Sequence, residues 1–254
     1  MTAGNNFHFT VKAKPLSFMA VRSVLVIAPH PDDESLGCGG TIALLREAGV
    51  PVNVIFVSDG SMSHPASKKY PAAHRVLLRE GEAVEALGIL GVSPSCIRFL
   101  RWQDGAVPAR NEPGFSESVR LLQKEMETLQ PDVLLAPWRR DPHRDHQATA
   151  AIVWQALTAH QQPVRMLEYF VWLWERSQPE DLPTDKEVCI WEMNIQTVMD
   201  RKQKAVMAHV SQVSNLIDDD PDGFTLSPEV LSHFWKSVEF FAEAKAPNPE
   251  TASG

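Results

Sequence analysis

Two apolar runs that each end in a cluster of histidine and aspartate constrain the fold of this chain most strongly. Residues 24–27 (Val-Leu-Val-Ile) are typical of a buried strand, and prolines 29 and 31 then interrupt it around His30 and Asp32. A second apolar run, 132–137, leads in the same way to residues 138–147. In a parallel sheet both clusters emerge at the carboxyl edge, where open α/β sheets place their ligands. The pattern therefore predicts one parallel sheet with a functional site at that edge.

The remaining segments extend this alternation into an α/β fold, a three-layer Rossmann-like arrangement around a mostly parallel sheet. We predict strands at 24–27, 52–57, 97–100, 132–137, 169–174 and 188–193. We predict helices at 41–46, 74–87, 116–129, 147–159 and 195–209, the first opened by glycines 37, 39 and 40.

No repeat or linker divides the chain, so residues 1–254 are predicted to form a single domain. Residues 1–21 are an N-terminal extension that could be a lid, an edge strand or a disordered arm. The proline-rich tail 245–254 is predicted to be disordered, and the acidic run 218–220 to be a solvated loop.

Composition narrows the class of protein. The 24 basic and 32 acidic residues give a net charge of −8, which argues against nucleic acid as a partner. Three scattered cysteines indicate a reducing compartment and lack zinc-finger spacing. We see neither a transmembrane-length apolar stretch nor a signal peptide, so we expect a cytoplasmic protein. The oligomeric state, a homo-oligomer included, is left open.

The spacing of the clusters is suited to a metal site. His143 and His146 are three residues apart, as are His30 and Asp33, so each pair can share one face of a helical turn. Two histidines and a carboxylate with one open position form a common catalytic zinc site. Adjacent side chains point in different directions, so Asp32 could face a zinc-activated water as general base. The alternative is that Asp32 only caps the following helix.

The motifs Ala-His-Pro-Asp-Asp-Glu and His-Arg-Asp-His, in this order and strand context, resemble the LmbE-like family, which includes the N-acetylglucosaminyl-phosphatidylinositol deacetylases (PIG-L). The resemblance spans about residues 22–215. It implies a zinc-dependent N-deacetylase acting on a small-molecule amino-sugar conjugate. It also implies one Zn²⁺ per chain, held by His30, Asp33 and His146, with other divalent metals as alternatives.

Further roles follow from the chemistry of the neighbouring residues. His143 is predicted to act as a second acid or to stabilise the oxyanion, with direct metal binding in place of His146 as the alternative. Asp145 is predicted to orient either His143 or a metal-bound histidine.

Three candidates for substrate binding come from other segments. Arg79 could bind hydroxyl or phosphate groups, or simply pair with Glu82 on one helix face. Asp104 could accept sugar hydroxyls, or begin a turn with the glycine that follows. A sugar could stack on an indole ring, and of tryptophans 102, 138, 172 and 174 we prefer Trp138 because it adjoins the second cluster.

The predicted function is removal of an N-acetyl group from an N-acetylglucosamine-type conjugate. The alternatives are metal-dependent hydrolysis of another amide or of a phosphoester, and a non-catalytic binding protein. A Rossmann dehydrogenase is disfavoured, because glycines 37, 39 and 40 do not form the Gly-x-Gly-x-x-Gly pattern.

Overall fold

A computed structural model describes residues 12–245 and contains one eight-stranded sheet. The strands are β1 Lys14–Pro15, β2 Val24–Ala28, β3 Val52–Ser58, β4 Ile97–Trp102, β5 Val133–Pro137, β6 Arg165–Tyr169, β7 Val188–Asn194 and β8 Val238–Ala244. Their order across the sheet is β1-β7-β8-β6-β5-β2-β3-β4. All neighbouring strands are parallel except β8, which runs antiparallel to both β6 and β7. The predicted α/β fold with a mostly parallel sheet is confirmed.

Helices cover both faces of this sheet. They are α1 Asp33–Glu47, α2 Ala72–Leu90, α3 Phe115–Leu129, α4 Arg144–Thr158, α5 Leu173–Arg176, α6 Met199–Ala208, α7 Val210–Val213 and α8 Pro228–Ser232. Alternate residues of β2 face opposite layers: Val24 and Val26 pack with α1, α2 and α6, whereas Leu25 and Ile27 pack with α3 and α4. This two-residue alternation produces the three-layer arrangement. Over residues 12–245, no helix combines the length and apolar character needed to cross a membrane.

The structure corrects several element assignments. The predicted strand at 169–174 is wrong: β6 ends at Tyr169, and the buried apolar residues after it form a turn leading into α5. A short apolar run is compatible with a strand or a buried helical segment, and periodicity alone does not separate them. Strand β8 was not predicted, and the predicted helix 195–209 begins as a 3₁₀ turn before α6.

In the described part of the N-terminal extension, residues 12–21, Lys14–Pro15 form an edge strand that pairs with β7. The expectations for residues 1–11 and for the tail beyond 245 lie outside the described residues.

Helix α1 begins at Asp33, ahead of the glycines that were predicted to open it, and it is kinked at Cys38, where φ is −145° and ψ is 20°. Gly37 and Gly40 allow close packing here. A Cβ on Gly37 would lie 2.2 Å from Cδ2 of Tyr169, and one on Gly40 would lie 2.6 Å from Cδ1 of Ile195. The kink therefore sets the first turn of α1 apart from the rest of the helix.

A buried ion pair satisfies the backbone groups that the kink leaves free. Glu239 of β8 accepts hydrogen bonds from the amides of Gly40 and Thr41, both at 2.8 Å, and from Oγ1 of Thr41 at 2.6 Å. Nζ of Lys202 donates to the carbonyl oxygen of Leu36 at 2.9 Å and to Glu239 at 2.7 Å. Lys202 and Glu239 are 2% and 4% exposed. The two charges thus hold the two segments of α1 at a fixed angle.

The acidic run 218–220 is not the solvated loop that we predicted. The Asp219 carboxylate accepts hydrogen bonds from Oγ of Ser67 and from the amides of residues 68 and 69. Asp220 is buried and accepts from the amide of Ala66 at 2.8 Å. Because these aspartates accept hydrogen bonds from backbone amides and a serine hydroxyl of the loop 61–70, they fasten that loop to the C-terminal part of the chain.

Candidate metal centre and cavity

The two predicted clusters meet at the carboxyl edge of the sheet because β2 and β5 are adjacent and parallel. The loop after β2 carries His30, and α4 begins beside it with His143 as its N-cap residue. Ring centroids of His30 and His143 are 4.7 Å apart, those of His30 and His146 5.3 Å, and those of His143 and His146 5.0 Å. Residues more than 110 positions apart in the chain thus form one cluster.

Asp33 lies between two of these rings. Its Oδ2 is 3.1 Å from Nδ1 of His30 and 3.1 Å from Nε2 of His146. Two further sets have potential ligand atoms within 4.8 Å of one another, namely His30 with His143 and His146, and His30 with Asp104 and Asp145. The described residues therefore contain a histidine and aspartate group able to bind a metal.

His146 is fully buried and neither of its ring nitrogens makes a hydrogen bond within the described chain. Nε2 faces Asp33, and Nδ1 lies 3.3 Å from Oδ1 of Asp141. Burial alone would lower the pKa of His146, but the two carboxylates raise it to about 9. Asp141 was not predicted. It also accepts hydrogen bonds from the amides of His143 and Trp172, at 3.1 and 2.9 Å. Its position in the loop after β5, within the second cluster, is the signal that could have identified it.

The side-chain carboxylate of Asp145 contacts His30, whereas its backbone amide donates to Nδ1 of His143. Its Oδ2 lies 3.3 Å from Nε2 of His30 and accepts a hydrogen bond from the amide of Gly105 at 2.7 Å. Burial raises the pKa of Asp145, yet hydrogen bonds and charge from His30 lower it below its ordinary value. Of the two roles predicted for Asp145, the geometry is that of the residue orienting His30.

Asp32 is held by Arg79. Nη2 of Arg79 lies 3.1 Å from Oδ2 of Asp32, and the guanidinium also donates to the carbonyl oxygens of Gly60 and Pro31. Gly60 has φ of +64°, and a Cβ there would lie 2.7 Å from Nη1 of Arg79. The alternative pairing with Glu82 is not formed, because Glu82 binds a serine of α7. Burial raises the pKa of Asp32 to about 6, although the charge of Arg79 opposes this shift.

The pKa of His143 is shifted downward, in contrast to that of Asp32. Burial and the positive charges of His146 and His30 lower its pKa to about 4, so the imidazole is neutral near pH 7. Its Nδ1 accepts a hydrogen bond from the amide of Asp145 at 3.2 Å. In the neutral ring the proton is therefore on Nε2, because an acceptor nitrogen cannot carry it.

A cavity of about 240 Å³ lies above this cluster. Six of its lining residues were predicted as site residues: His30, Asp32, Asp33, Arg79, Asp104 and His143. Asp145 and His146 lie behind them, fully buried. Met62, Ser63, Trp172, Arg176 and Phe224 also line the cavity and were not predicted as site residues, since they come from loops and from the short helix α5, which no local motif marks.

Both carboxylate oxygens of Asp104 have partners within the protein. Oδ1 lies 3.2 Å from Nε2 of His30, and Oδ2 accepts the amide of Met62 at 2.9 Å. Trp138 does not line the cavity: it is fully buried, and its Nε1 donates to the carbonyl oxygen of Asp181 at 2.7 Å. It therefore presents no ring face to a sugar, and Trp172 is the tryptophan at the cavity.

The sequence matches the family profile described as PIG-L, GlcNAc-PI de-N-acetylase, over residues 25–157, more than half of the chain. A relative from Bacillus anthracis, a probable N-acetyl-alpha-D-glucosaminyl L-malate deacetylase 2, is 29% identical over 223 residues, which cover 84% of this chain and 94% of the relative. Homologues of this chain are N-acetylglucosamine-type deacetylases, hydrolases that act on C–N bonds.

Solved structures share the fold. N,N'-diacetylchitobiose deacetylase from Pyrococcus horikoshii, complexed with its inhibitor, aligns with a TM-score of 0.69 at 24% identity, covering 92% of this chain and 89% of the other. GalB, the 4-carboxy-2-hydroxymuconate hydratase from Pseudomonas putida KT2440, aligns with a TM-score of 0.60 at 19% identity, covering 89% of this chain and 97% of the other. The fold thus occurs with more than one chemistry, and function must be argued from the site.

Proposed function

The chain belongs to the PIG-L (LmbE-like) family, and on that basis we propose that it hydrolyses the N-acetyl amide of an N-acetylglucosamine-type conjugate, with a bound zinc ion as cofactor. One observation carries the proposal: Asp33 Oδ2 lies 3.1 Å from nitrogens of both His30 and His146, directly below a cavity that Asp32 also lines. The products are acetate and a free amine.

The donor set fits zinc. Donor atoms that bind one zinc ion at about 2.0–2.2 Å in a tetrahedral arrangement lie roughly 3.3 Å apart, close to the separations around Asp33. The buried Nε2 of His146, which lacks a hydrogen bond, is a further sign that its partner is a metal. We propose His30, Asp33 and His146 as the ligands. When bound, the metal polarises the amide carbonyl and lowers the pKa of water.

Asp32 is the proposed general base. With a pKa of about 6 its carboxylate is ionised at neutral pH, yet it is basic enough to accept a proton from the attacking water. Arg79 fixes the orientation of this carboxylate, and we propose that as its first role, ahead of direct substrate binding. The proton can then pass from Asp32 to the leaving amine.

His143 is the proposed oxyanion-stabilising residue. A neutral imidazole with its proton on Nε2 can donate a hydrogen bond to the negative oxygen of the tetrahedral intermediate. This favours the oxyanion role over that of a second acid. Asp145 is the proposed positioning residue for His30. Asp104 lines the cavity, and because each carboxylate oxygen has two lone pairs, it remains a proposed acceptor for a sugar hydroxyl.

The test is acetate release from a panel of N-acetylglucosamine conjugates by zinc-loaded protein. We expect release by the wild type and a loss of about 10²–10⁴-fold in Asp32→Asn, the range typical of general-base catalysis. Asp200→Asn, a change at an exposed aspartate of α6, serves as the matched control and should behave as wild type. Equal rates for Asp32→Asn and wild type would refute the role of Asp32. No release from any sugar would refute the substrate class and redirect the search to other amides or phosphoesters.

A separate measurement tests the ligand set. His146→Ala should abolish stoichiometric zinc binding, whereas His143→Ala should retain it. Nδ1 of His143 accepts a hydrogen bond from the amide of Asp145 and Nε2 carries the proton, so neither nitrogen of the neutral ring has a free lone pair for the metal. The reverse result would show that His143 is the ligand.

A further inference from the structure

The mouth of the cavity carries an arginine stacked on an aromatic ring. The guanidinium carbon of Arg176 lies 4.3 Å from the ring centroid of Trp172, and the ring of Phe224 meets that indole edge-on at 5.6 Å. All three residues line the cavity. Trp172 is 7% exposed, whereas Arg176 is exposed at the entrance.

Arg176 differs from the other charged groups of the cavity because no carboxylate among the described residues neutralises its charge. Asp32 faces Arg79, Asp33 faces two histidines, and Asp104 faces His30. Between residues 12 and 245, in contrast, no carboxylate lies within ion-pair distance of the Arg176 guanidinium. The adjacent acid, Glu175, pairs instead with His233 at 2.5 Å.

The position of this arginine is tied to the metal centre. The amide of Trp172 donates to Oδ2 of Asp141 at 2.9 Å, and the same carboxylate faces Nδ1 of His146. The amide of Arg176 in turn donates to the carbonyl oxygen of Trp172 at 3.0 Å. The backbone that carries both stacked side chains is therefore fixed relative to the proposed reaction centre, and the guanidinium itself rests on the indole ring of Trp172.

We infer that Trp172 and Arg176 form a subsite for an anionic group, a carboxylate or a phosphate, on the aglycone of the substrate; this rests on the proposed deacetylase function. A guanidinium presents a planar fork of donors that matches either anion. The chain carries a net charge of −8, so an anionic substrate needs a local cation at the entrance. The acetylated sugar would lie deeper, beside Asp32 and His143.

The test compares three N-acetylglucosamine conjugates: one with a dicarboxylate aglycone, its neutral dimethyl ester and one with a phosphate aglycone. For wild type we expect kcat/KM to be about tenfold higher for an anionic conjugate than for the ester, and the preference to shrink as salt is raised. Arg176→Gln should remove the preference through KM, and Arg176→Lys should keep part of it. Arg110→Gln is the matched control: it removes an exposed arginine that also lies over an aromatic ring, Phe115, and it should leave the preference for anionic conjugates unchanged. The higher of the two anionic rates identifies the anion.

Equal kcat/KM for charged and neutral conjugates, or an unchanged preference in Arg176→Gln, would overturn the inference while leaving the deacetylase function intact. Calorimetric binding of the deacetylated conjugates to zinc-loaded protein separates the two failures. If no conjugate is hydrolysed but the anionic ones bind wild type more tightly than Arg176→Gln, the subsite stands and the proposed function falls. If charged and neutral conjugates bind both proteins equally, the subsite is refuted.

Discussion

Removing the charge of Lys202 should destabilise the protein strongly and weaken metal binding as well. Lys202→Met leaves Glu239 buried without a counter-ion and removes the donor to the carbonyl oxygen of Leu36. Breaking a buried pair by deleting one partner costs about 3–5 kcal/mol. Three hydrogen bonds from Gly40 and Thr41 still stabilise the Glu239 carboxylate, which places the expected loss near the lower end, about 3 kcal/mol.

Urea unfolding of metal-free protein measures this loss, and titration with zinc under conditions where the variant stays folded measures the effect on the site. The double variant Lys202→Met/Glu239→Gln should recover part of the stability, because a neutral amide requires no counter-ion and its single oxygen can still accept from Thr41, although its NH2 group then faces the amide of Gly40. A loss below about 1 kcal/mol in the single variant, or no recovery in the double variant, would contradict the argument. Unchanged zinc affinity would show that the pair stabilises α1 without positioning the residues of its first turn.

Three further predictions concern the site and its supports. Gly37→Ala should cost about 3 kcal/mol or more in urea unfolding, because the new Cβ meets the ring of Tyr169 at 2.2 Å; wild-type stability would contradict the packing argument. Because Asp32 must be ionised to act as base and its pKa is about 6, kcat/KM should rise with pH through about 6 and be lost below that value. A pH profile of kcat/KM that is flat from pH 5 to 7 would count against Asp32 as base. Asp141→Asn should weaken zinc affinity about 10–100-fold, since the carboxylate facing His146 is lost; a competition titration showing unchanged affinity would exclude that role.

Periodicity and local motifs were sufficient to predict the part of the fold that carries the candidate metal centre. Strands β2 and β5 each carry a continuous apolar run, and the rule that parallel strands place their carboxyl ends at one edge brought His30 and His146 together. The polar residues near them were identifiable because they adjoin these strands in sequence. Asp141 was missed although it lies in the second cluster. Its role depends on the orientation of the His146 ring, whose Nδ1 faces the Asp141 carboxylate.

The parts that could not be predicted depend on contacts between distant segments. Nothing local indicates that Glu239 accepts hydrogen bonds from α1, or that Asp219 and Asp220 fasten a loop 150 residues earlier. Trp138 and Trp172 show the same limit. Each follows a strand, β5 or β6, but only the three-dimensional packing decides that the first is enclosed and the second reaches the cavity.

The hydrogen bond from Gly40 of α1 to Glu239 spans 199 positions of sequence, and this separation has a consequence during protein synthesis. A ribosome adds about 5–20 residues per second, so roughly 10–40 s pass between emergence of the first motif and arrival of the strand that supports it. For the later part of that interval, once His146 has been added, the nascent chain contains every proposed zinc ligand, but the first turn of α1, which bears Asp33 and Glu34, is not yet held in place. Metal loading is therefore expected to follow completion of the polypeptide. A chain ending before β8 should bind zinc poorly despite retaining all of its ligands.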